Sequence, residues 1–209
     1  MALNDKQRPL PSAELVEDLE PRFEPSSELL AWARSTFIGD DAPLHNPEHG
    51  HLLDASIGIL WTNVEHAKNG RRIVGQCELG TPRAMGKWAK ARAEQQITEW
   101  FGEVPDFILT FHAHYAGQVD DASFCALVEH ELYHAAQDVD AFGMPKFRQN
   151  GLPAFVIRGH DVEEFVGVVR RYGSEATGVQ RMVDAANARP EVARADIAHA
   201  CGTCHLKVV

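Results

Sequence analysis

The sequence predicts an α+β fold in which a small mixed β-sheet packs against helices, and three observations predict it. Apolar residues recur at helical spacing in several separated stretches. Other stretches alternate or run apolar over five to ten residues, as strands do. The order of these stretches is helix, hairpin, helix, strand, helix, helix, helix, without the regular strand–helix alternation of a parallel α/β protein.

Each element has its own local signal. Residues 1–25 are acidic and broken by Pro9, Pro11, Pro21 and Pro25, which predicts a flexible arm with about one turn of helix. Ser26 and Ser27 can cap a helix whose apolar side is Leu29, Leu30, Trp32, Ala33 and Phe37. A turn-rich segment with His45, His49 and His51 follows. Ala55–Asn63 and Arg72–Leu79 read as two strands, with Asn69-Gly70 as a hairpin turn between them. Lys87–Phe101 is helical and stopped by Gly102, with Ala93, Ile97, Trp100 and Phe101 on one side. Pro105–Tyr115 alternates, placing Phe107, Leu109, Phe111, Ala113 and Tyr115 on one face and Ile108, Thr110, His112 and His114 on the other. A helix from Asp120 to about Gln137 comes next, capped by Asp120 and Asp121, with Phe124, Val128, Leu132 and Ala135 as its apolar stripe. Beyond a loop rich in Gly, Pro and Asn, His160–Tyr172 and Glu175–Ala188 read as two further helices, halted by Gly173 and Pro190.

Composition bounds the function classes. A chain of 209 residues, 44% hydrophobic and 24% charged, suits one soluble domain. We divide it into an N-terminal arm (1–25), a main domain (26–190) and a C-terminal tail (191–209). The net charge of −10 gives no indication of nucleic-acid or anionic-membrane binding. Neither a signal-peptide pattern nor a membrane-length apolar run is present, which predicts a cytoplasmic protein in which four cysteines do not form a disulfide framework. Nothing in the sequence reads out an oligomeric state.

His130-Glu131-Leu132-Tyr133-His134 is an HExxH box inside the predicted helix from Asp120. Positions i and i+4 lie on one helix face, so both imidazoles can reach one metal ion. Glu131 sits one residue round, where its carboxylate can act as general base on a zinc-activated water. That is the chemistry of a zinc-dependent peptidase. A chain with 11 histidines would carry the box by chance about once in twenty, so the capped amphipathic helix around it matters to the reading. A catalytic zinc needs a third protein ligand. His160 is favoured, with Glu164 or Glu163 as alternatives, and Asp161 either caps a helix or holds a ligand in its tautomer. His112 and His114, together with Tyr172, are candidates for lining the cleft. Tyr115, Tyr172, Arg158 or a histidine is a candidate to stabilise the oxyanion.

The pair VEHELYHA and GHDVEEFVGVVRRYG resembles the putative phage metallopeptidase family, whose pattern is an HExxH helix followed by HDVEEF and a helix ending near RYG. Here these are His130–His134, His160–Phe165 and Arg171–Gly173, and the resemblance covers roughly residues 40–175. It implies a zincin-like fold with an HExxH active-site helix, and a phage-encoded protein working in the host cytosol. At a distance the chain is similar to SprT-like zinc proteases, which set a third His before an aromatic; His160 and Phe165 are spaced one residue wider. In zincins the strand beside the metal helix pairs with an extended substrate, which is why His112 and His114 enter as cleft candidates.

Cys201-Gly202-Thr203-Cys204-His205 matches the covalent haem signature, but that attachment requires export. Cys201 and Cys204, with His205 or His199, could instead hold a second, structural zinc, whereas Cys77 and Cys125 read as buried. The expected function is hydrolysis of a protein or peptide substrate with one catalytic Zn²⁺. A zinc amidohydrolase and a non-catalytic, zinc-stabilised phage interaction protein are the rivals.

Overall fold

Apolar strands buried on both faces need cover on both sides, and that requirement shapes the molecule. The computed structural model describes residues 7–68, 70–83, 86–175 and 178–192. Its main sheet has four strands: β1 (Phe23–Pro25), β2 (Ile57–Thr62), β5 (Gly75–Leu79) and β6 (Phe107–His112), in the order β1-β2-β6-β5. β2 and β6 run parallel, while β1 and β5 pair antiparallel with their neighbours, so the sheet is mixed. All six residues of β2 are buried.

This arrangement corrects the hairpin expectation. The runs at 55–63 and 72–79 are not neighbours; β6 lies between them. The turn at Gly70 (φ 75°) closes only a small ribbon of β3 (His66–Lys68) and β4 (Arg71–Ile73). A two-residue turn fixes only the strands it touches, and the doubly apolar β2 and β6 take the central places.

α2 (Ser27–Ala33), capped by Ser26, lies on one face of the sheet with α5 (Asp121–His134). α3 (Lys87–Phe101), ended by a left-handed Gly102, lies on the other. Phe107, Leu109 and Phe111 are fully buried in the main core with Phe124, Leu127, Val128 and Leu132 of α5. Trp61, Phe111 and Trp32 surround Phe124, with ring centroids 5.7–6.1 Å from it. On the α3 side Leu60, Ile97 and Ile108 form a smaller cluster.

The expected loose arm is packed where it is described. Arg8 is buried and donates to Asp121 Oδ1 (2.6 Å) and to the carbonyls of Ala116 (2.8 Å) and Val119 (2.7 Å). α1 (Ala13–Glu17) buries Leu15, and β1 extends the sheet.

Three further boundaries move. The strand expected to reach Tyr115 stops at His112, and α4 (Ala113–Gln118) begins there, tucking Ala113 and Ala116 into the core. The helix that carries the box stops at His134, because Ala135–Gln137 becomes β7, pairing with β8 (Phe155–Ile157). The loop between them is laddered, with bridges at Val139–Pro145 and Phe147–Pro153, and projects as an arm. Finally, the helix expected from His160 starts only at Val166 (α6, Val166–Tyr172), and the last one is α7 (Gln180–Asn187). Residues 158–165 are non-helical, and the Arg158 N–H, bonded to the His134 carbonyl at 2.9 Å, continues the β7–β8 pairing one residue past Ile157. No described helix is long and apolar enough to cross a membrane.

Candidate metal centre

α5 is built to deliver its last turn to one place. Asp120 caps it, accepting from the Ser123 N–H (2.9 Å), and the carboxylates of Asp120 and Asp121 suit the positive end of the helix dipole. The stripe of Phe124, Val128 and Leu132 fixes its rotation about its axis. In that orientation Glu131 is fully buried, His134 nearly so, and His130 half-buried.

His160 joins them from the segment after β8. Its Nε2 and that of His134 each lie 3.2 Å from His130 Nε2, and the ligand atoms of all three fall within 4.8 Å of one another. Two nitrogens at about 2.05 Å from a tetrahedral metal are themselves about 3.3 Å apart, so the donor spacing fits a shared ion. His134 Nδ1 lies 2.6 Å from the Arg158 carbonyl. A carbonyl only accepts, so the proton is on Nδ1 and the Nε2 lone pair is left for a metal. Partial burial, and then the neighbouring His130 and His134, hold the His160 pKa below its ordinary value.

The two alternative third ligands stay outside this group. Glu164 Oε1 accepts from the Phe165 N–H at 2.7 Å, and neither it nor Glu163 belongs to the histidine cluster. Asp161 pairs with Arg158 rather than capping a helix.

The histidines open onto a cleft of about 340 Å³ lined also by Tyr133, Arg158, Val162 and Met182. A second cleft of about 400 Å³, between β5 and β8, shares Arg158 and Gly159 with it. β5 forms that end of the sheet. The bonds from His112 N–H to the Val74 carbonyl (2.9 Å) and from Gly80 N–H to the Asp106 carbonyl (3.0 Å) fix its alternation. Val74, Gln76, Glu78 and Gly80 turn their main-chain groups toward β6, while Gly75, Cys77 and Leu79 turn theirs away from it, Gly75 and Cys77 being buried. Gly75 also packs closely against the box: a Cβ there would lie 2.9 Å from Glu131 Oε1 and 2.8 Å from Leu127 Cδ1.

His112 and His114 are not brought to the histidine cluster. β6 is an interior strand and cannot receive a further strand. His112 lines a separate cleft of about 250 Å³, with Glu65 3.5 Å from its Nε2, and His114 lies on α4. Tyr172 is exposed on α6 beneath the Arg171 guanidinium and does not line the metal cleft. Cys77 and Cys125 are buried as expected, and burial pushes the Cys125 thiol up to about 11. The tail residues His199, Cys201, Cys204 and His205 lie outside the described residues.

Some neighbours of the site were not singled out from sequence. The segment Pro47–Leu53 forms a tight helical turn against α5, capped by Asn46, and His51 Nε2 contacts the Ala135 carbonyl (2.7 Å). Asn-Pro-Glu is a recognisable helix start, but nothing local says which element the turn docks on. A glycine inside a strand, as at 75, does signal close backbone approach.

The model of one family, described as putative phage metallopeptidase, matches residues 30–187. The chain belongs to that family. The match spans the box, the third histidine and both clefts, so this family member brings to the comparison the same segments that the fold gathers at the histidines. A family of metallopeptidases implies a bound metal and a protein or peptide substrate, and the three imidazoles are a donor set that fits one. No curated protein and no solved structure matches the chain.

Proposed function

We propose that the chain is a zinc-dependent peptidase in which His130, His134 and His160 hold one Zn²⁺ and Glu131 is the general base. The observation that carries this is the 3.2 Å convergence of the three Nε2 atoms beside a fully buried glutamate. Three imidazoles with a position left open suit zinc above the harder cations, which prefer oxygen. The ion supplies an acidified water and a polarised substrate carbonyl.

The chain's own residues do the rest. An extended substrate lies in the cleft between β5 and β8, which shares Arg158 and Gly159 with the histidine cleft. Glu131 accepts a proton from the attacking water as the new C–O bond forms. It returns that proton to the departing amine as the C–N bond breaks, so that peptide and water become acid and amine. Its burial keeps the carboxylate beside Gly75 and out of bulk water.

Elemental analysis with a casein assay tests the reading. One zinc per chain is expected in wild type and in Glu131→Gln, and less in His160→Ala. Glu131→Gln should lose about 10²–10⁴-fold in turnover. A wild type without zinc, or a Glu131→Gln variant as active as wild type, would overturn the peptidase reading. Turnover of non-peptide amides in place of casein would move it to an amidohydrolase.

A further inference from the structure

We propose that Tyr133 is a catalytic residue, its phenol donating a hydrogen bond to the oxyanion that forms on the substrate carbonyl, with Asn46 as its positioning residue. The inference rests on the peptidase reading and names a group that reading leaves open.

Helix geometry places it first. At 100° per residue, Glu131 and Tyr133 lie about 80° to either side of the midline between His130 and His134. The base therefore flanks the histidine pair on one side and the phenol on the other. Among the described residues that line the metal cleft, Tyr133 carries the one hydroxyl.

The direction of its proton follows from Asn46. The Asn46 Oδ1 accepts the Glu48 N–H (3.0 Å) as cap of the Pro47–Leu53 turn. Only an oxygen can accept there, so the amide nitrogen faces α5. Its Nδ2 donates to Glu129 Oε1 (3.0 Å) and to Tyr133 Oη (2.7 Å). Residues 129 and 133 are one turn apart on one face, which is why a single amide reaches both. The phenol oxygen is the acceptor in that bond, so its own proton is left for another acceptor. The buried His49 ring packs edge-on against the phenol at 4.7 Å between centroids and limits its swing.

Of the other donors, Arg158 lines the same cleft but is drawn toward two carboxylates, and the rest lie elsewhere. The Arg158 guanidinium is paired with Asp161 and lies 3.9 Å from Glu48. His112 and Tyr172 do not line this cleft. Tyr115 packs against the main core.

The test compares wild type, Tyr133→Phe and Asn46→Asp, the last keeping the capping oxygen while removing the amide donor. Zinc content is measured first and is expected to be equal. Calorimetry then compares a Phe-Ala phosphinic dipeptide, whose tetrahedral anion mimics the adduct, with the plain Phe-Ala amide. Tyr133→Phe should bind the phosphinate about 10–100-fold more weakly, leave amide binding unchanged, and lower kcat on casein about 10²-fold at nearly constant KM. Asn46→Asp should show a smaller shift in the same direction. A phosphinate affinity equal in wild type and Tyr133→Phe overturns the proposal, as does an equal loss for phosphinate and amide. If Glu131→Gln still cleaves casein at the wild-type rate, the peptidase reading has failed, independently of Tyr133.

Discussion

At the scale of single residues, the close approach of Gly75 to Glu131 has the sharpest consequence. β5 brings its backbone so near that the missing side chain is what leaves room for the carboxylate and for Leu127. Gly75→Ala inserts a methyl 2.9 Å from Glu131 Oε1, and the flexible carboxylate yields more easily than the sheet. We expect a folded protein, destabilised by about 1–3 kcal/mol, that retains its zinc and turns over at least about tenfold more slowly because the base is displaced. Metal content, urea unfolding and casein hydrolysis on one preparation check all three. Full activity in this variant would mean that the Glu131 position does not depend on β5.

At the scale of elements, α5 is held at both ends by chain far from it in sequence. Its start is clamped by Arg8, which bonds Asp121 and two carbonyls and places its guanidinium 4.7 Å from the Phe124 ring centroid. Arg8→Ala leaves the buried Ala116 carbonyl and the part-buried Val119 carbonyl short of a donor and should cost about 1–3 kcal/mol, read as a lower urea midpoint at unchanged slope. Sequence patterning found α5, α3 and α2 well, because each carries both a cap and an apolar face. It missed the clamp, since an Arg among prolines resembles a solvated arm until a distant helix supplies its partners. It also carried β6 too far: alternation persists through Tyr115, but Ala113 and Ala116 are small enough to enter the core as helix instead. The hairpin error has the same root, since Asn69-Gly70 specifies a turn and says nothing about which longer strands end up adjacent.

At the scale of the whole molecule, burial of histidine makes stability depend on pH. His49 is 1% exposed, and desolvation first, then His51 and His45, lowers its pKa from 6.5 to about 4. The unfolded chain therefore binds the proton more tightly than the native one between those values. Stability from this group is fully present above about pH 6.5 and drains away as pH falls toward 4, by on the order of 3 kcal/mol. Urea midpoints taken from pH 7 to 4.5 should fall, and the slope should flatten in His49→Gln. An unchanged slope in that variant would place the acid sensitivity elsewhere. Of the candidate site, the shared face of His130 and His134 was readable because helical periodicity is a local property, and His160, singled out by ligand chemistry, lies beside them. The exclusion of His112 and His114 was not readable, because it depends on β6 being interior, a fact of topology that no short stretch records.

One pair of bonds has a bearing on how this chain can change. The His134 carbonyl accepts from the Arg158 N–H, and the Arg158 carbonyl contacts His134 Nδ1, so the residues flanking the arm are fastened to each other at its base. The distance from the second histidine to the third is set there and by the β7–β8 pairing beside it, not by the loop beyond. The length of that segment can therefore be changed beyond its paired base without moving the two histidines apart. Its tip, where Phe142 and Met144 stand exposed, is the place where an inserted or shortened loop would disturb the histidines least.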